Sequence, residues 1–133
     1  MTDPLNPNEP QGELSLRTVG MPADTNPAGH IFGGWVLSQM DMAGAFHASS
    51  CTNTRVVTIA VDSMKFHKPI HVGDEVTCYT TVDRIGRTSV AIHVETWVRR
   101  ARHGSPLMVT AGLFTYVAID QNGGTTEISS PTT

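Results

Sequence analysis

The stretch from Gly34 to Asn53 constrains this chain more than any other. It has no proline, and Trp35, Val36, Met40, Ala43 and Phe46 recur at helical spacing, which predicts a helix from about Gly34 to Thr52. It also has no Lys, Arg or Glu. A surface helix carries a polar face, so a helix without one is expected to be enclosed on most sides. Its second half, Ala43-Gly44-Ala45 and Ala48-Ser49-Ser50, is small on almost every face, as close approach of a sheet or a second helix requires. The one acid in this setting is Asp41. Acids are rarely buried without a reason, so Asp41 reads as a working carboxylate, the plainer alternative being an acid satisfied by backbone or hydroxyl partners.

Such a helix needs a cover, and the rest of the chain supplies strands. Glu13 to Met21 alternates Leu14, Leu16 and Thr18 against Ser15, Arg17 and Val19. Arg55 to Phe66, Glu75 to Ile85, Thr88 to Arg100 and Leu107 to Asp120 are rich in Val, Thr and Ile with period two, and Val57, Ile59 and Val61 are expected on one face. Gly86-Arg87 and His103-Gly104-Ser105-Pro106 read as hairpin turns, and Lys68-Pro69 to Val72-Gly73-Asp74 as a longer connection. Pro22, Asp24, Asn26, Pro27 and Gly29 mark an irregular loop from Met21 to Gly34. One strand, one long helix and a meander of four strands predict an α+β domain of hotdog type, an antiparallel sheet wrapped around one long central helix. A single sheet on a single helix leaves a sheet edge and the far side of the helix uncovered, so a symmetric homodimer is expected.

At 133 residues the chain holds one domain. Residues 1–11 and 121–133 lack any apolar period and are rich in Pro/Asn and in Gly/Ser/Thr respectively, so they are expected to be a disordered N-terminal tail and a flexible C-terminal tail around a domain spanning 12–120. A formal charge of −3 argues against nucleic acid as a partner. The N-terminus has neither a basic nor an apolar leader region, and no apolar run approaches the roughly 18 residues of a membrane span. With Cys51 and Cys78 in no shared motif, the expectation is a cytoplasmic protein with free thiols and no membrane partner.

The most informative stretch for chemistry is Asn26-Pro27-Ala28-Gly29-His30-Ile31-Phe32-Gly33-Gly34-Trp35. Two glycines at a helix start leave N–H groups bare at the positive end of the helix dipole, where they suit an oxyanion; the alternative is that Gly33-Gly34 only makes a tight turn. Asn26 adds a side-chain amide nearby in sequence. Asp41 follows Gly34 by about two turns, roughly 10 Å along the axis, too far for one chain to bring both to one reacting atom. Antiparallel helices of a two-fold dimer would bring Asp41 of one subunit to Asn26 and Gly34 of the other, giving two sites per dimer. Six histidines are scattered, with His67 and His71 supplying two ligands at most, so no metal is expected. Nucleophile-elbow, thiol-dyad and phosphate-loop patterns are missing. Positive charge gathers at Lys65, Lys68, Arg84, Arg87, Arg99, Arg100 and Arg102, with Arg87-Thr88-Ser89 the preferred phosphate-binding trio.

Asn26-x-x-Gly29-x-x-Phe32-Gly33-Gly34, followed by Met40-Asp41, resembles the signature of the hotdog acyl-CoA thioesterases, and is most similar to the bacterial YciA-type hydrolases. The resemblance runs from about Gly12 to Asp120 and takes in Met21-Pro22-Ala23-Asp24, Arg55-Val56-Val57-Thr58, Pro69 with Gly73-Asp74, Thr88-Ser89-Val90 and Phe114-x-Tyr116-Val117-Ala118. It implies hydrolysis of short- to long-chain fatty acyl-CoA to free acid and CoA without metal or organic cofactor. It further implies Asp41 as general base or nucleophile, Asn26 orienting water or thioester, the Gly34 amide polarising the carbonyl, and Phe32, Gly33 and Thr58 among the substrate-binding residues. The assembly it implies is a homohexamer, a trimer of dimers. The alternatives are a dehydratase or hydratase of acyl thioesters on the same fold, which would pair a His such as His67 with an acid, and a non-catalytic acyl-CoA sensor, which would have lost Asp41 or Asn26.

Overall fold

The computed structural model describes residues 9–100 and 104–128. Its elements are β1 (Glu13–Val19), a 3₁₀ turn (Pro22–Asp24), α1 (Gly33–Thr52), β2 (Arg55–Phe66), β3 (Glu75–Ile85), β4 (Ser89–Arg99) and β5 (Leu107–Ile119). Residues 1–8 and 129–133 of the two expected tails, with Arg102 and His103, lie outside the described residues. The helix ends where expected: Asn53 turns left-handed at φ 55° and its N–H closes on the Ser49 carbonyl at 2.9 Å, a conformation asparagine tolerates better than most residues.

The five strands form one antiparallel sheet in the order β1-β3-β4-β5-β2. Only β3, β4 and β5 are a sequential meander, which corrects the expected run of four. The connection after β2 is no tight hairpin, and it carries the chain from one edge of the sheet to the other, where β1 already covers the far side of β3. Each strand contacts α1. Val76, Val90, Ile92, Val94, Phe114 and Tyr116 pack from the sheet on Val36, Met40, Ala43 and Ala48 of the helix. Burying side chains the size of Met40 or Phe114 contributes about 1.5–3 kcal/mol each. The small residues of α1 do what their size suggests: a β-carbon at Gly44 would run into the Tyr116 hydroxyl.

Two expectations need correction. Val57, Ile59 and Val61 do not share a face. A bulge between Thr58 and Ala60 sets Val57 opposite Val117 but Val61 opposite Phe114, so the alternation changes sides at Ile59. Nor is α1 enclosed on most sides within one chain. Leu37, Met42 and Phe46 are exposed on it, and Val57, Ile59, Val61 and Phe66 are exposed on the edge strand β2. The missing polar face marks an apolar surface that this chain leaves open.

The described part of the C-terminal segment folds back on the sheet. Asp120 Oδ1 accepts from the N–H groups of Asn122 and Gly124 at 2.8 and 3.0 Å, and the Ile128 N–H donates to the Arg87 carbonyl at 2.8 Å. No helix among the described residues is long and apolar enough to cross a membrane.

Candidate active site

Asp41 lies half-buried on the third turn of α1. The Thr58 hydroxyl donates to its Oδ1 at 2.6 Å, and the Tyr116 hydroxyl donates to its main-chain carbonyl at 2.9 Å. Thr58 and Tyr116 stand opposite each other across β2 and β5. One rung of the sheet therefore holds both the side chain and the backbone of the acid. Burial pushes the Tyr116 phenol far above its usual range, and the Asp41 charge and hydrogen bond beside it push the same way. Tyr116 is consequently a neutral donor at any working pH.

A second group forms where α1 begins. Asn26 Oδ1 accepts from the N–H groups of Ala28 and His30 at 3.0 and 3.1 Å. The Asn26 N–H donates to the His30 carbonyl at 2.7 Å, and Gly29 makes the turn between them at φ 87°. With the oxygen of the amide committed to the loop, its nitrogen is the part of the side chain left to donate outward. Phe32 precedes the helix without a side-chain cap, and the first helical N–H groups to reach an acceptor are those of Trp35 and Val36, both on the Phe32 carbonyl. The N–H groups of Gly33 and Gly34 come before them and have no helical acceptor. Neither glycine has a positive φ, so the turn they make into the helix does not itself require glycine. Among the described residues, nothing beyond its immediate neighbours lies within 4 Å of a β-carbon built on Gly34, so none of their contacts demands a glycine there.

Asn26 and Gly33 open on a cavity of about 290 Å³. Its floor is Ile31, Val36 and Ile70, with Phe66 and Pro69 at the side and His30, His67 and Lys68 at the rim. The His30 ring stacks on His71 with centroids 5.3 Å apart. Asp41 is not among the lining residues. It stands about 12 Å further along the helix axis.

The structure thus sorts the expected site residues into two groups. Asn26, Phe32, Gly33 and Gly34 sit at the helix start. Asp41 and Thr58 sit two turns away, and Arg87-Thr88-Ser89 lies at that same end of the sheet, Ser89 facing Val117 one rung from Tyr116. Arg87 is paired with Glu127 at 3.0 Å, while Arg99 and Arg100 pair with Glu75 and Asp74. Met40 is wholly core and Trp35 and Met64 pack against the core, while Met42 and Phe46 lie on the open face of α1. The sequence reading missed Tyr116 as a partner of Asp41; alternation along β5 marks it only as one of several inward residues, and the pairing of β2 with β5 sets it opposite Thr58.

A further polar cluster occupies the other face of the sheet, because Val90, Ile92 and Val94 turn inward and strand residues alternate. Glu95 accepts there from the Trp97 indole at 2.9 Å and the Gln11 N–H at 3.1 Å, with His93 Nε2 at 3.2 Å. Burial alone would raise the Glu95 pKa, but these partners together hold it below the usual carboxylate range, and the hydrogen bond that His93 donates to Glu95 raises the pKa of the imidazole. This is a satisfied structural network.

Residues 28–105 match the thioesterase superfamily. The acyl-CoA thioester hydrolase YciA of Escherichia coli is 49% identical over 119 residues, covering 87% of this chain and 90% of that protein. A solved structure described as a hexameric broad-specificity acyl-coenzyme A thioesterase superposes with a TM-score of 0.85 at 49% identity, covering 91% of this chain and 84% of the other. A hexameric hotdog-fold thioesterase of Campylobacter jejuni does so with a TM-score of 0.83 at 45% identity, covering 89% and 91%.

Proposed function

The chain belongs to the thioesterase superfamily and is an acyl-CoA thioester hydrolase of the hotdog fold; from that premise we propose that it cleaves short- to long-chain fatty acyl-CoA at a site shared between two subunits, with Asp41 as general base. The observation that carries this reading is the separation of the two groups. Asp41, held by Thr58, and the free donors at Asn26, Gly33 and Gly34 lie two helical turns apart in one chain, while the helix face and edge strand beside them are apolar and exposed. A two-fold pairing of this face covers the exposed side chains and sets each Asp41 toward the partner's helix start.

In the reaction, Asp41 takes a proton from a water molecule as the water oxygen attacks the thioester carbonyl carbon. Charge then develops on the carbonyl oxygen, where the Gly34 N–H and the Asn26 Nδ2–H group supply preorganised donors, each worth roughly 100- to 1,000-fold in kcat for such a role. The tetrahedral intermediate collapses by breaking the C–S bond. The leaving thiolate receives the proton held on Asp41, and free acid and CoA depart. Phe32 and Gly33 line the approach to the thioester, and Arg87, Thr88 and Ser89 supply a cation, hydroxyls and turn N–H groups for CoA phosphates. The hexameric relatives favour a trimer of such dimers.

Thiol release from a series running from acetyl- to palmitoyl-CoA tests the proposal, with Asp41→Asn beside the wild type. Turnover by the wild type and a loss of about 100-fold or more in the folded, assembled variant is the expected result. Equal rates in the two proteins would sink the mechanism, and no thiol release by the wild type would sink the activity.

A further inference from the structure

We infer that Tyr116 is a positioning residue for this hydrolysis: its hydroxyl pins the backbone of α1 at Asp41 and so sets where the carboxylate stands. The inference rests on the reading of Asp41 as the working base.

The hydroxyl donates to the Asp41 carbonyl at 2.9 Å. That carbonyl lies inside α1, where the helix already provides the N–H of Ala45 as a partner. The bond therefore satisfies the tyrosine without being needed by the helix. Packing alone does not explain a tyrosine here. Phe114, the next inward residue of β5, stacks on it with centroids 6.5 Å apart and fills the same layer without a hydroxyl. The helix makes room for the oxygen besides: at Gly44, three residues beyond Asp41, any β-carbon would collide with it.

The surface of α1 around this point shows why a pin matters. Ala43, Gly44 and Ala48 are buried against the sheet and offer almost no ridges to fix the helix against sliding, since interlocking of a helix depends on side-chain relief. Val36 and Met40 interlock with the sheet before this point, and from Asp41 onward directional bonds add to that registry. The side-chain hydrogen bonds between α1 and the strands, among the described residues, are those of Thr58 and Tyr116 to Asp41 and that of His47 to Thr80 at 2.7 Å, with His47 also 3.8 Å from the Glu13 carboxylate. Two of the three meet at Asp41, one on its side chain and one on its backbone, from a single rung of the sheet. Thr58 alone would orient the carboxylate on a helix free to shift; with Tyr116 the whole residue is located. Displacements near 1 Å at a reacting group cost about 100-fold in rate, so partial loss of registry acts on kcat.

Tyr116→Phe tests this, since it keeps the ring and removes only the oxygen. The expected result is a kcat about ten-fold lower with KM within about two-fold of wild type and assembly unchanged, the pattern of a group that acts only in the chemical step. Because Tyr116 acts through Asp41, adding Tyr116→Phe to Asp41→Asn should slow the enzyme no further. A wild-type kcat in Tyr116→Phe, with only thermal stability lowered, would reduce Tyr116 to a packing residue and overturn the inference while leaving Asp41 as the base. Full activity of Asp41→Asn is the separate outcome that removes the underlying reading, whatever Tyr116→Phe does.

Discussion

At the scale of residues, two glycines of α1 show the same amino acid used for different ends. Gly44 is fixed by its own chain: a methyl there meets the Tyr116 hydroxyl. Alanine gains about 1 kcal/mol of helix propensity over glycine, but overpacking of a filled core costs about 1–3 kcal/mol. Gly44→Ala is therefore expected to lower the thermal midpoint, and a raised midpoint would contradict the packing described. Gly34 has open space above it. Gly34→Ala is expected to keep or raise the midpoint, yet to lower turnover by crowding the approach to the proposed oxyanion donors; unchanged turnover would leave that glycine without the role assigned to it. Part of this was legible in the residues. The lone acid on a helix otherwise free of Lys, Arg and Glu singled out Asp41, and the small residues foretold a close approach. The hydroxyl that approaches was not legible, because Tyr116 is one of several inward residues on a strand far along the chain, and only the pairing of β2 with β5 brings it beside Thr58.

At the scale of elements, β2 is the telling strand. It forms one edge of the sheet and most of its residues are exposed on both faces, an arrangement that invites pairing with another chain. Ile59, at the bulge and 59% exposed, packs on little in its own subunit. Ile59→Lys should therefore leave the far-UV circular dichroism of the chain intact while lowering its mass by sedimentation and its thiol release together. Unchanged mass with full activity would show that β2 is not at the shared interface. The same strand marks where periodicity ran out. Its limits, like those of β3, were readable from Val, Ile and Thr alternating between turn residues, but a bulge adds one residue without changing composition, so the side each residue faces beyond Thr58 was hidden. Strand order was hidden too. Adjacent runs suggest a meander, while the long connection from β2 to β3 allows the crossing that places β2 beside β5.

At the scale of the whole molecule, the apolar face of α1 and the exposed side chains of β2 turn one missing polar face into a rule of assembly. On the mechanism proposed above, an acid and a donor about 10 Å apart along one helix form a complete site only with a second copy, and membership of a family with hexameric members accords with that need. The fold and its chemistry follow from one helix: the residues that make it pack closely on the sheet also keep charge away from it, and so leave Asp41 as its sole carboxylate. The most direct test is complementation between two disabled chains. Asp41→Asn and Asn26→Ala are each expected to be nearly inactive alone. When they are co-expressed and assort at random, each mixed dimer regains one intact site, and activity should return to about a quarter of wild type. If each site lay within a single chain, every chain in the mixture would carry a defect and no activity would return, which would contradict the account.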